Sequence, residues 1–244
     1  MKKLLIAASL SAALFSSFNA SAGNDVTLKV TGSIVPGACV PTLPDGGIVD
    51  YGTIRNGQIA PTGTSNALVQ LGQKSINLTV TCDTEIAVGI TSTDNRHDSR
   101  VDLSSKRYIE DLVGGGNTTS TSNGFGLGKA PDDITNIGSY TILADPASAT
   151  ADGTAVDVIR TNDITAETLT WETTPSGAFC PLNGGCNSAK LAISVAKTGT
   201  LVPQPFKVLN MPLLVTAAVE DNTVLGTKDT ITLDGNATIS LVYL

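Results

Sequence analysis

Short stretches in which apolar and polar residues alternate one for one recur along the chain, and they constrain its fold more than any other feature. Val26-Thr27-Leu28-Lys29-Val30 opens the series and continues through Gly32 to Ile34. Ile76, Leu78, Val80 and Cys82 keep one phase, and Ile86, Val88 and Ile90 repeat it. Further runs lie at 137–143, 155–159, 169–171, 191–195, 213–219 and 230–243, with a shorter one at 48–54 after the turn Pro44-Asp45-Gly46-Gly47. A period of two puts alternate side chains on opposite faces of an extended strand, and the Gly, Pro, Asn and Asp between the runs are turn formers. The pattern predicts an all-β protein, an antiparallel β-sandwich or barrel, with no long amphipathic helix and no internal repeat.

The first 22 residues read as an address. Lys2 and Lys3 precede an apolar run from Leu4 to Phe15, and Ala20-Ser21-Ala22 closes it. Charge, a short apolar core and small residues at a cleavage site make a secretory signal peptide, too short to span a bilayer. Removing 22 of 244 residues leaves 222, enough for one large β domain or two small ones. No other long apolar run follows, so the mature chain is expected to be exported through the inner membrane and soluble. The formal charge of −7 becomes −9 without the two leader lysines, and no basic stripe accompanies it. That balance argues against nucleic acid as a partner and for simple solubility outside the cytoplasm.

Four cysteines, Cys39, Cys82, Cys180 and Cys186, permit three disulfide connectivities, and an oxidising compartment favours disulfides over thiol chemistry. Position along the chain favours Cys39–Cys82 and Cys180–Cys186. The first closes a loop of about forty residues, contributing about 4 kcal/mol by chain entropy; the second clips the turn Pro181-Leu182-Asn183-Gly184-Gly185. Zinc fits poorly, because the single histidine, His97, lies far from either pair and the Cys-x5-Cys spacing is not a usual one. No metal or other cofactor is expected.

The stretch at roughly 94–136 reads as a loop insertion, with a charged loop from Asp94 to Arg100 and a Gly-, Ser- and Thr-rich one from Gly114 to Gly124. Gly126-Leu127-Gly128-Lys129-Ala130 lacks the Ser or Thr of a phosphate loop. Asp94, Asp98 and Asp102 lack the spacing and the backing glutamate of a calcium loop. His97 has no nucleophile elbow near it, and Glu110-Asp111 and Glu220-Asp221 are adjacent in sequence, which points side chains of a strand to opposite faces. Trp171 suits core packing better than a sugar platform. No enzyme activity is expected.

The two ends carry the functional signal. Val26, Leu28, Val30, Gly32 and Ile34 fall on one face of an extended segment, seven residues before Cys39 in the case of Gly32. Ala237, Ile239, Leu241 and Tyr243 fall on one face of a final strand. Together with Thr27 to Cys39, Val49-Asp50-Tyr51-Gly52-Thr53-Ile54 and the strand from Leu78 to Cys82, these stretches resemble subunits of chaperone–usher pili, and among them the larger fimbrial-like proteins of the GltF type. The resemblance covers both ends well and the middle poorly; Ile231 stands where many pilins carry a glycine.

The resemblance implies an immunoglobulin-like, pilin-type sandwich that lacks its last strand and is completed by donor-strand exchange. It divides the chain into a signal peptide (1–22), a donor-strand extension (23–38) and a sandwich body (39–244). It makes Val26, Leu28, Val30, Gly32 and Ile34 the donor strand, and Ala237, Ile239, Leu241 and Tyr243 the strand that pairs with a periplasmic chaperone. The implied partners are that chaperone, an outer-membrane usher and neighbouring fimbrial subunits, and the implied route runs through the periplasm to the cell surface, in support of adhesion. Two other readings stand beside it: a free periplasmic β-sandwich with a binding or regulatory role, and a minor or tip adhesive subunit.

Overall fold

The computed structural model describes residues 28–33, 37–63, 65–110, 116–186, 190–226 and 228–244, in two units, Met1–Pro36 and Gly37–Leu244. In the first unit, residues 28–33 have no regular secondary structure and are exposed. The expected signal peptide, and Val26 and Ile34 of the expected donor strand, lie outside the described residues.

The second unit is nearly all β. Its strands are β1 (Cys39–Thr42), β2 (Val69–Ile86), β3 (Val88–Asp94), β4 (Phe125–Gly126), β5 (Gly138–Ala144), β6 (Thr150–Ala151), β7 (Thr154–Thr161), β8 (Glu172–Thr173), β9 (Ala192–Lys197), β10 (Phe206–Val219) and β11 (Ala237–Tyr243). All the strand pairings are antiparallel. One layer runs β1-β2-β10-β5-β4 and the other β11-β3-β9-β7-β8. They join where β6, beside β10, turns into β7 through Asp152-Gly153. Both turn residues have positive φ, 50° and 77°, as a two-residue hairpin turn matched to strand twist requires. The result is a sandwich nearly closed into a barrel, with β1 and β11 as its last strands.

The period-two rows meet between the layers. Ile76, Leu78 and Val80 of β2 face Leu209, Met211 and Leu213 of β10 across the ladder, and Ile90 and Ile193 close over them from the other layer. Each such aliphatic side chain contributes about 1.5–3 kcal/mol on full burial. Pro212 sits inside the long strand β10, where a missing N–H is normally costly. Its carbonyl accepts from Asp145 N–H, so its nitrogen faces the same side, in the gap between Leu213, which pairs with β5, and Asn210, which pairs with β6. The one bond the ring forgoes is the reciprocal one to Asp145, just past the end of β5, and the Asp145 carbonyl accepts from Ser148 N–H instead.

Four sequence expectations change. The run at 169–171 is irregular, and β8 begins only at Glu172. Residues 48–54 are not a strand: they run irregularly between two short 3-10 turns, Pro44–Gly47 and Asn56–Ile59. The last strand begins only at Ala237, not near 230. Asp94 is no loop residue; it ends β3 and is 1% exposed. After it the chain makes bridged turns over a small second cluster of Leu68, Val101, Leu103, Ile109 and Ala218, tied to the body by the ion pair of Arg107 with buried Glu220.

Candidate functional site

The side of the sandwich between β1 and β11 is built differently from the rest. β1 pairs only with β2 and β11 only with β3; among the described residues no strand pairs with the other edge of either. Alternation sends Ala237, Ile239 and Leu241 of β11 toward the main core, yet they are only partly buried there. On the facing margin Cys39 and, past the end of β1, Leu43, Val49, Tyr51 and Ile54 are likewise packed on the core and half-covered. Two margins of half-buried apolar side chains, each beside an unpaired strand or an irregular segment, form an apolar opening.

The ends of this opening are held from distant parts of the chain. Cys39 is bonded to Cys82, its direct partner in the β1–β2 register, so β1 is fixed covalently to the body. The Cys39 N–H donates to the Tyr243 hydroxyl at 3.0 Å, joining the two margins at one end. Tyr243 thus continues the row of Ala237, Ile239 and Leu241, but it is 53% exposed and spans to β1 instead of packing inward. Cys180 and Cys186 are bonded to each other at the far side of the fold; inside that clip Asn183 donates to the Asp94 carbonyl and accepts the Asp94 N–H.

Tyr51 anchors the irregular margin. Its hydroxyl donates to Val215 O at 2.8 Å, with Gly72 O at 3.4 Å. Burial pushes this hydroxyl from 10.0 up to about 12. The folded value lies above the unfolded one, so its contribution to stability is complete and independent of pH below pH 10. Between pH 10 and about 12 the unfolded chain loses a proton that the folded chain keeps, and stability falls. Urea unfolding at a series of pH values should show a shallower alkaline decline for Tyr51→Phe than for the unaltered protein; equal slopes would contradict this placement.

A second, polar hollow of about 660 Å³ lies near the far end of β11, lined by Asp94, Arg96, His97, Lys129, Asn183 and Asp234 among others. Its charges are mutually engaged. Arg96 pairs with Asp234 at 2.5 Å, and His97 accepts from Arg100 while its other ring nitrogen meets Asp98. Burial raises the Asp94 carboxyl, against the N–H groups of Gly126 and Arg96 that its oxygens accept. Among the described residues no three His, Cys, Asp or Glu side chains are grouped to hold a metal ion.

Of the expected donor residues, Leu28, Val30 and Gly32 are described; Leu28 is 87% and Val30 90% exposed. The structure thus brings together the expected β11 row and Cys39 with Cys82. Sequence reasoning missed Tyr51 as an anchor and the Tyr243–Cys39 bond, whose partners stand 204 positions apart.

Comparison with known proteins matches this chain on two levels. Residues 28–141 match a family described as "Protein of unknown function (DUF1120)". Protein GltF of Escherichia coli (strain K12) is 44% identical over 252 residues, covering 98% of this chain and 96% of that protein. The uncharacterized protein YhcF of the same organism is 32% identical over 253 residues, covering 99% and 98%.

Proposed function

The chain belongs to the family of GltF and YhcF, and from the open edge in its sandwich we propose that it is an exported structural subunit of a surface fibre. Neighbouring copies complete one another by donating a strand, and the assembled fibre supports adhesion. The observation that carries this reading is the half-covered apolar row of Ala237, Ile239 and Leu241 on a strand with one free edge. An unpaired edge beside apolar surface is a template for another strand, and a stable monomer normally blunts it. The leading segment supplies the complementary element: Leu28 and Val30 are exposed aliphatic residues two apart, in a chain whose two disulfides suit an oxidising compartment. A periplasmic chaperone that covers the edge before assembly, and an outer-membrane usher, are the partners such a subunit needs.

The test is assembly of the purified, oxidised protein. The full chain should form linear polymers by sedimentation and electron microscopy, or fold stably only with a chaperone or an added peptide of residues 24–36. Deleting Val26 to Ile34 should block polymerisation and leave binding of the chaperone or of the added peptide intact. A full chain that stays monomeric, with its leading segment protected from proteolysis, would favour the free periplasmic reading, which draws its support from the Tyr243–Cys39 bond that already closes one end of the opening.

A further inference from the structure

β3 outlasts its neighbour β9. The two are paired at Ile90 and Ile193, and beyond Ile90 a turn takes over the same edge of β3. Leu182 N–H donates to Ser92 O at 2.7 Å. The Asn183 side chain then accepts the Asp94 N–H at 3.0 Å and donates to the Asp94 carbonyl at 2.8 Å. It thus engages both backbone groups of Asp94, as an adjacent strand would. The Cys180–Cys186 bond closes this turn at its base. Just before it, Phe179 N–H donates to Ile142 O of β5 and Ala178 bridges Leu143, so Cys180 is fixed to the other layer.

The turn fits its place only when drawn tight. Gly184 N–H donates to Pro181 O, and a Cβ on Gly184 would stand 2.5 Å from Ser122 O. Arg100 donates to Gly184 O and to Thr121 O from one nitrogen. The two disulfides differ in setting. Cys39 and Cys82 are direct partners in the β1–β2 ladder, which holds them opposite each other as well. Cys180 and Cys186 lie in no strand; Cys180 is buried and Cys186 half-buried. Opening the second bond therefore needs only local release, which demands less free energy than unfolding the body. An attacking thiolate needs a reachable sulfur, and Cys186 offers one.

We propose that Cys180–Cys186 is a redox latch on the rim of the polar hollow: a dithiol reduces it in the folded protein, the turn 181–185 lets go of β3, and Asn183 withdraws from Asp94. One thiolate of the dithiol attacks Cys186 Sγ, forming a mixed disulfide and expelling Cys180 as a thiolate. The second thiolate attacks the reductant's own sulfur in that mixed disulfide, expels Cys186, and leaves as an intramolecular disulfide. Two electrons pass to the protein, and the protons of the two reductant thiols end on the two cysteines. Opening removes Asn183 from the lining of the hollow and bares the Asp94 N–H and C=O to water. Reoxidation is short-range, since Cys180 keeps its place on β5 and only five residues separate it from Cys186. The latch works in a single chain, whether or not copies assemble.

Graded dithiothreitol on the oxidised full chain, without denaturant, followed by alkylation and mass mapping, reads the order of opening. Cys180 and Cys186 should be trapped together, roughly tenfold or more faster than Cys39 and Cys82. At that stage the amides of Leu182 and Asp94 should exchange roughly tenfold or more faster by NMR than in the oxidised protein, with those of Val80 and Leu209 unchanged. Oxidised glutathione should restore both. Asn183→Ala with the bond intact should free the Asp94 amide and leave that of Leu182 protected. Equal or reversed order of the two bonds, or reduction that comes only with loss of protection at Val80 and Leu209, overturns the latch. A reduced bond with Leu182 and Asp94 still protected shows that the turn does not move, and overturns it too. An Asp94 amide that stays protected in Asn183→Ala overturns the part given to Asn183.

Discussion

Changing Leu28 and Val30 together to aspartate is expected to abolish assembly and to leave the stability of the monomer within about 0.5 kcal/mol of the unaltered protein. Both side chains are almost fully exposed, at 87% and 90%, so the monomer loses no packing when they change. In an assembled pair they would leave water. Two aliphatic side chains contribute about 3–6 kcal/mol on burial, roughly two to four orders of magnitude in affinity, before the added cost of placing carboxylates in an apolar cleft. Sedimentation of the variant, and titration of the corresponding variant peptide into the unaltered protein, measure the effect. Polymers that persist in the double variant would show that this segment is not the connecting element.

The second large effect concerns the covalent tie at the opening. Replacing Cys39 and Cys82 by alanine should lower the free energy of unfolding by about 4 kcal/mol, since the link spans a sequence separation of 43. The Cys180–Cys186 link spans 6 and should contribute about 2 kcal/mol by the same entropy argument. Urea unfolding of the two double variants gives the order. If losing Cys39–Cys82 costs less than losing Cys180–Cys186, β1 is held by its ladder to β2 and not by the bond.

What could be read from the residues was whatever depends on local alternation. The inward row of β2 was legible from Ile76, Leu78 and Val80, and the facing of β11 from Ala237, Ile239 and Leu241, because a strand with one buried face writes its phase into neighbouring positions. Long-range decisions left no such trace. The stretch 48–54 alternates like a strand but forms no ladder: Val49, Tyr51 and Ile54 pack on the core, and the Tyr51 hydroxyl bonds carbonyls of β2 and β10. Asp94 looked like the start of a charged loop, because its partners, the Gly126 N–H and Asn183, lie 32 and 89 positions away. The run read at 213–219 extends back to 206 through Pro212, which sits where β10 changes neighbour from β5 to β6. At the opening itself, each margin was visible as a run of residues; that Tyr243 would reach Cys39 was not.

The position of the Cys39–Cys82 bond has a mechanical consequence. Gly37 is the first residue of the body, and Cys39 follows it by two. A pull on the leading segment therefore reaches a covalent link before it loads the hydrogen bonds of β1 beyond Cys39. Tension then passes through sulfur directly into β2, the strand that spans the width of the sandwich beside β10. The irregular stretch from 43 to 68 lies outside the line of force, free of the load that would otherwise peel it from the core.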